Sequence, residues 1–226
     1  MGVAVALSTV ADGSMHNRRD PLDPVVIANR ERWLGSQGIQ LDATTRLLIS
    51  YDGDNFCRYK EVGAAEQGIN MRGDDGFVAD ALVTRTPGHV LFLPVADCVA
   101  TVLYDPEHEV LMLTHLGRQS LEQQGAQRSV EHLTRMYGSR PEALQVWLSP
   151  TINKDAYPIF SLDNKGMKEA LYEQLAQAGV HLAQVTDNDA DTATNDNYYS
   201  YSEYLKGNKP EDGCHAVVAV LDSMVD

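Results

Sequence analysis

The chain has 226 residues, with 32 acidic and 18 basic side chains and a formal net charge of −14, a length ample for one large or two small domains with a sizeable core. Hydrophobic residues at 43% and charged residues at 22% are globular values and exclude a disordered chain. The acidic balance argues against nucleic acid and anionic membrane as partners, because no basic field offsets phosphate repulsion, and no apolar run nears the roughly 18 residues of a membrane span.

In chain order, Val3 to Leu7 reads as a first strand. Asp23-Pro24 starts a helix, with Asp as N-cap and Pro at the first helical position, and places Val26, Arg30, Trp33 and Leu34 near one face before Gly38. Strand-like segments follow at Arg46–Tyr51, Phe56–Val62, Ala81–Thr84, Val90–Val95, Cys98–Tyr104 and Val110–His115. Asp105-Pro106-Glu107-His108 makes a turn that pairs the last two as a hairpin. A helix over Leu121–Tyr137 stops at Gly138, and Ala143–Leu148 is a strand. Asp163 or Asn164 caps a further helix with Met167, Leu171, Leu175 and Ala178 on its buried stripe, ended by Gly179. Val180–Val185 and His215–Leu221 close the chain as strands. Strands outnumber helices and βαβ units are few, so residues 1–226 read as one α+β domain with mixed sheets flanked by helices.

The charge is uneven. Residues 185–226 hold nine acids against Lys206 and Lys209, whereas residues 1–60 balance seven acids with seven bases. The amino-terminal quarter can therefore receive a small anion. Three scattered cysteines, Cys57, Cys98 and Cys214, form no CxxC pair and suit a reducing compartment. The first residues lack a basic stretch of the kind that opens a signal peptide, so the expectation is a cytoplasmic protein.

The densest chemical constellation is Ala96-Asp97-Cys98 followed by Thr114-His115-Leu116-Gly117. A hairpin turning at 105–108 pairs residues whose numbers sum to about 213, which sets Cys98 level with His115. A thiolate and an imidazole so placed can share a zinc or copper ion or act as nucleophile and base. Equally, Cys98 is a small buried hydrophobe and His115 a strand-end histidine with its hydrogen bonds met.

Asp80-Ala81-Leu82-Val83-Thr84, Pro87-Gly88, Val95-Ala96-Asp97-Cys98, Leu103-Tyr104-Asp105-Pro106 and Thr114-His115-Leu116-Gly117 together resemble the laccase-domain family. That family is also called multicopper polyphenol oxidase, purine nucleoside phosphorylase or peptidoglycan-editing factor. Asp12-Gly13-Ser14, Asn17 and Asn29-Arg30 upstream, and Ser149-Pro150-Thr151-Ile152 and Tyr199-Ser200-Tyr201 downstream, extend the likeness over nearly the whole chain. The resemblance implies a four-layer α/β/β/α domain and phosphorolysis of adenosine, inosine or methylthioadenosine, with adenosine deamination as a companion activity. It implies nucleoside and phosphate as partners, and a zinc or copper ion held by His, Cys and His. Carried onto this chain, Cys98 and His115 match two metal ligands, and Asn17 and Arg30 match residues that line the substrate site.

The departures bear on chemistry. Ser50-Tyr51-Asp52-Gly53 stands where the family has Gln-Val-His-Gly, so Asp52 falls on the first metal ligand; a carboxylate can ligate zinc, and YDGDN is also a turn string. Arg118-Gln119-Ser120 replaces Trp-Arg-Gly, and Ser202 replaces an arginine. With Asp52, Cys98 and His115 holding zinc, the metal would make hydroxide available near neutrality. Arg30 and Asn17 would orient ribose or phosphate, and Asp97 would serve as a base beside the metal or order its turn. Two rivals follow from the departures: a non-catalytic binding or structural module that needs no metal, and a metal-free hydrolase with Cys98 as nucleophile and His115 as base. His16 with Arg18-Arg19 can contribute to an anion site or lie in a solvated loop, and Tyr198, Tyr199, Tyr201 and Tyr204 can stack on a purine or cover the core.

Overall fold

The computed structural model describes residues 2–222. Two mixed sheets lie face to face with helices outside them. The first sheet has the order β1-β10-β5-β2, from strands Val3–Leu7 (β1), His215–Leu221 (β10), Val90–Val95 (β5) and Thr44–Arg46 (β2). The second has the order β3-β4-β7-β6-β8-β9, from Tyr59–Glu61, Ala81–Thr84, Val110–Leu116, Val99–Asp105, Gln145–Leu148 and Val185–Asp187. This is the expected α+β, four-layer α/β/β/α arrangement.

The period-two alternation of side chains sorts the apolar residues into three layers. Leu91, Leu93, Val217 and Ala219 of the first sheet meet Leu82, Ala100, Val102, Leu111 and Leu113 of the second in the middle layer. Val90, Phe92, Ala216 and Val218 face outward onto Trp33 and Leu34 of helix α1 (Pro24–Ser36). On the other outer face, Ala81, Val83, Leu103 and Met112 pack under three helices, α2 (Arg118–Glu122), α3 (Gly125–Tyr137) and α4 (Met167–Gln177). Nearly uninterrupted apolar strands such as VLFLPV follow from burial on both faces.

The caps expected at α1 and α3 are present. Asp23 accepts from Val25 N at 2.9 Å ahead of Pro24, and Gly138 closes α3 at φ 78°. Several boundaries differ. The segment Arg46–Tyr51 leaves the ladder after Arg46, and Phe56–Val62 is strand only at Tyr59–Glu61. The helix expected over 121–137 is two, broken where Gln124 takes a left-handed φ of 62°. At Gly125 a Cβ would lie 2.7 Å from Ser120 O, so only glycine permits the tight return. Asp163 and Asn164 form a left-handed turn, and Gly166 is the N-cap of α4 instead. Of Val180–Val185 only the last residue enters a strand. A short helix, α5 (Tyr201–Leu205), had no periodic signal because five residues are too few to show one; Ser200 Oγ caps it from Glu203 N at 3.2 Å.

The β6–β7 hairpin pairs Ala100 with His115, two residues from the register expected. Its loop runs over 106–109, with Glu109 left-handed, and Asp105 Oδ1 accepts from Glu107 N at 2.9 Å. Cys98 thus lies one step beyond β6. No described helix is long and apolar enough to cross a membrane.

Candidate functional site

A cavity of about 820 Å³ opens where the two sheets diverge at the carboxyl ends of β5 and β7 and the start of β6. One stretch of its lining is strand-built and carries Val95, Ala96, Asp97, Cys98 and His115; another carries His16, Arg18, Arg46 and Asp74. Tyr51, Arg118, Tyr157, Tyr201 and Lys206 also line it.

The strand wall is held by backbone and carboxylate bonds. His115 N donates to Asp80 O at 2.9 Å, and the Asp80 carboxylate takes Arg58 Nε at 2.7 Å and Nη2 at 2.9 Å. Asp97 is consumed in the same way: Oδ1 accepts from Thr192 Oγ1 at 2.9 Å, Oδ2 from Ser202 N at 2.7 Å, and its carbonyl from Ile152 N at 3.1 Å. Asp97 therefore fastens α5 and two loops to the start of β6, and it orders its turn rather than acting as a free base.

Cys98 and His115 do come together. A Cβ placed on Gly117 would sit 2.7 Å from Cys98 Sγ and 3.1 Å from His115 Cε1, so the bare glycine is what lets them approach. Burial, with Asp97 and Cys214 adding to it, pushes the Cys98 thiol up to about 12. Burial also pulls the His115 imidazole down to about 4. Both are uncharged at neutral pH. A thiolate nucleophile needs the opposite shift, so the Cys–His hydrolase has no support in this environment.

Asp52 does not join them. Its carboxylate is exposed and accepts from Ser50 Oγ at 3.1 Å within the turn, and its neighbour Tyr51 packs edge-on against His115 with ring centroids 6.5 Å apart. Among the described residues no three His, Cys, Asp or Glu side chains converge on one point. A zinc or copper site needs three or four donors; Cys98 and His115 supply two, so the expected Asp52–Cys98–His115 set is not assembled and the residues present do not fit a resident metal.

The expected substrate pair is also elsewhere. Arg30 is 1% exposed and donates to Met15 O at 2.9 Å and Met71 O at 2.7 Å, behind the cavity wall. Asn17 donates to Asp23 Oδ2 at 2.8 Å and accepts from Arg19 N at 2.9 Å, organising the approach to α1 beside a separate hollow of about 580 Å³. Other residues line the cavity: Arg46 and Lys206, which sequence reasoning passed over, and Arg18, which it had named with His16 for an anion or a solvated loop. Arg46 is the clearest. A charge inside the run TTRLLI was its available signal. Arg18 lies with its guanidinium carbon 4.3 Å from the Tyr201 ring centroid, paired with Asp212. At the rim, Lys206 Nζ binds Glu203 Oε1 at 2.7 Å and Ala156 O at 3.1 Å. Of the four tyrosines considered, Tyr201 lines this cavity, whereas Tyr199 and Tyr204 line the second hollow.

Residues 14–167 match the model of a family described as multi-copper polyphenol oxidoreductase laccase. Over 111 residues, 49% of this chain and 43% of the relative, it is 32% identical to a purine nucleoside phosphorylase of Deinococcus radiodurans. Over 102 residues, 45% of this chain and 37% of the relative, it is 29% identical to adenosine deaminase RL5 from an unknown prokaryotic organism. The chain thus spans about two-fifths of the length of these curated relatives. Two solved structures share the fold at 19% identity: YlmD from Geobacillus stearothermophilus, with a TM-score of 0.84 over 98% of this chain and 93% of that one, and the Bacillus licheniformis hypothetical protein YfiH, with 0.82 over 97% and 93%.

Proposed function

Because the chain belongs to the multi-copper polyphenol oxidoreductase laccase family, we propose that its cavity binds a purine nucleoside and carries out phosphorolysis without a resident metal. The observation that carries the reading is the cavity itself: about 820 Å³, with Tyr51 and Tyr201 among its lining residues and the Cys98–His115 pair on its strand wall. Relatives named for purine nucleoside phosphorylase and adenosine deaminase support it. A purine needs an aromatic face, an apolar slot and a few placed polar groups. Tyr201, with Arg18 stacked on its ring, supplies an aromatic group to the same lining.

In phosphorolysis a phosphate oxygen bonds the ribose C1′ as the C1′–N9 bond breaks, and the electron pair leaves with the purine. The proton carried by hydrogen phosphate balances the departing base. A neutral His115 suits this exchange, with one ring nitrogen as donor and the other as acceptor. Cys98, held as a thiol, serves as a packing neighbour and weak donor. The second reading is a binding module without turnover, favoured by the two-donor Cys98–His115 set and the protonated thiol.

The test is titration calorimetry with adenosine and inosine, followed by chromatographic assay of free base with and without phosphate. Nucleoside binding that Tyr201→Ala weakens at least tenfold, with phosphate-dependent base release, is the expected result. Binding without release selects the module. No binding of either nucleoside overturns the proposal.

A further inference from the structure

The sequence from Ser200 to Asp212, SYSEYLKGNKPED, holds a helix too short to bury an apolar stripe. Ser200 and Glu203 are the only buried residues of this segment, while Tyr201 and Leu205 are 37% and 66% exposed. With so few apolar contacts it draws little stability from the body beneath it. Its cohesion is internal. The Glu203 carboxylate accepts from Lys206 Nζ at 2.7 Å and from Asn208 Nδ2 at 2.6 Å, and the Glu203 carbonyl accepts from Asn208 N at 2.8 Å. With Ser200 Oγ capping the helix at Glu203 N, the segment is one small body centred on Glu203.

Both ends of that body are pinned to the same stretch of chain, residues 10–15. Before it, Asn197 O accepts from Val10 N at 2.9 Å; after it, Cys214 O accepts from Met15 N at 2.8 Å and Cys214 N donates to Ser14 Oγ at 3.1 Å. Between the pins the Tyr199 ring lies so close to Gly213 that a Cβ there would collide with it, and the ring packs with Ala96 and Cys214. Tyr199 and Gly213 thus make a neck, and the segment beyond it has the closed-ended form of an Ω-loop.

Among the described residues, no backbone–backbone hydrogen bond joins 200–212 to the rest of the chain. The ties that cross are made by side chains. Asp97 Oδ2 accepts from Ser202 N at 2.7 Å, Lys206 Nζ donates to Ala156 O at 3.1 Å, and Arg18 pairs with Asp212 while stacking on Tyr201. Lys209 Nζ reaches back to Asn195 O at 3.0 Å, just ahead of the neck. The segment also has space on two sides. Tyr201, Ser202, Leu205 and Lys206 line the large cavity, and Tyr204, Glu211 and Asp212 line the hollow of about 580 Å³. A body cohesive within, latched by a few polar contacts and flanked by two hollows can move without unfolding.

We infer that residues 200–212 form a lid on the large cavity that swings as one body about the Tyr199–Gly213 neck, with Arg18 and Lys206 as its latches. Opening admits and releases ligand, and closure brings Tyr201 and Lys206 into the lining. The lid goes beyond the nucleoside reading, since it governs access to the cavity whichever ligand enters.

Amide hydrogen exchange on the ligand-free full chain, resolved by residue in NMR spectra, tests it. Ser202 N is bonded across the gap to Asp97, whereas Asn208 N is bonded within the body to Glu203. A swinging lid exposes the first amide and keeps the second. Arg18→Gln should therefore speed exchange at Ser202 at least threefold and leave Asn208 unchanged, and Lys206→Met should do the same at least twofold. Losing a nearby cation slows base-catalysed exchange, so a faster Ser202 amide cannot come from the lost charge itself. Equal acceleration of both amides means local unfolding and overturns the lid. Acceleration of neither amide in both variants also overturns it. No nucleoside enters these measurements, so a failure of adenosine to bind bears on the nucleoside reading alone. Where adenosine does bind, it should slow Ser202 exchange at least threefold in the unaltered chain; binding that leaves this amide unchanged overturns closure on the ligand.

Discussion

The two sides of the cavity are built on different principles. The Cys98–His115 side is a product of strand pairing: His115 is fixed opposite Ala100 in the β6–β7 ladder, and Cys98 immediately precedes β6. Its Cys98 and His115 side chains are buried and uncharged. The Arg46–His16 side is a product of tertiary contact, in which groups from residues 15–18, 30, 46 and 70–74 are tied through single carbonyls and one carboxylate. Strand pairing gives a wall whose geometry is set by main-chain bonds and survives many side-chain changes. Loop clasping gives a polar floor whose geometry depends on the charged side chains themselves.

The strongest way to break the strand wall is to remove its buried ionic brace. Asp80 is 3% exposed and paired with Arg58. Arg58→Gln leaves that carboxylate without its cation and should cost about 3 kcal/mol in urea unfolding, with His115 loosened because its amide is bonded to Asp80 O. A loss under about 1 kcal/mol would mean that the ladder alone holds the wall.

Acid tests both sides together. His16 and His115 are held near 4, and His215, buried in β10, near 3, all below the ordinary imidazole value of 6.5. A base whose pKa is lowered by folding binds its proton more readily unfolded. Its contribution is full above 6.5, is lost as pH falls toward the folded value, and levels off below it. Each fully neutral histidine adds about 1.4 kcal/mol per pH unit to the slope between those limits. Unfolding free energy should therefore fall from pH 6.5 toward pH 4, and His215→Phe should make the fall shallower by one histidine's share. A flat profile would contradict burial as the cause of the neutral rings.

Gly117→Ala is a local probe of the strand wall. A methyl 2.7 Å from Cys98 Sγ must push the thiol or the ring aside, at about 1–3 kcal/mol, and should weaken nucleoside binding; unchanged binding would show that the strand wall does not touch the ligand. The gentlest probe is chemical. With its thiol pushed up to about 12, Cys98 should react with iodoacetamide at neutral pH at least tenfold more slowly than a free thiol, and faster as pH rises. Rapid alkylation at pH 7 would place an anion-stabilising group at the strand wall that the geometry lacks.

The same contrast explains what could be read from the chain. The strand wall was legible: hydrophobic runs, the Asp105 turn and the Cys98–His115 spacing placed it to within two residues of register. The error came from counting the turn as 105–108 when Glu109 also belongs to the loop. The floor was legible only in part: His16 was named with Arg18-Arg19 for an anion, but Arg46 and Asp74 are distant from it in sequence and meet it through loops whose carbonyls carry no sequence signature. Arg30 was misplaced for the same reason: a helix arginine reads alike whether it clasps a carbonyl or a phosphate. Asp52 was assigned by matching Ser50-Tyr51-Asp52-Gly53 to the family's motif, yet it is Tyr51 of that turn that packs against His115, while Asp52 is exposed.

The position of β10 has a consequence for how the molecule comes into being. It lies between β1 and β5 in the first sheet, so β1, the first of the described strands, must wait for β10, the last of them, before it is paired. The second sheet has all its strands by Asp187, and its central hairpin is local in sequence. During synthesis the second sheet and its helices can settle first, leaving the apolar faces of β1 and β5 open until residues 215–221 arrive. Long-range pairing of that kind is slow and exposes strand edges to association. The cavity exists only between completed sheets, so ligand binding is gained at the final step of folding, and carboxyl-terminal truncation into β10 should yield an association-prone chain rather than a weaker binder.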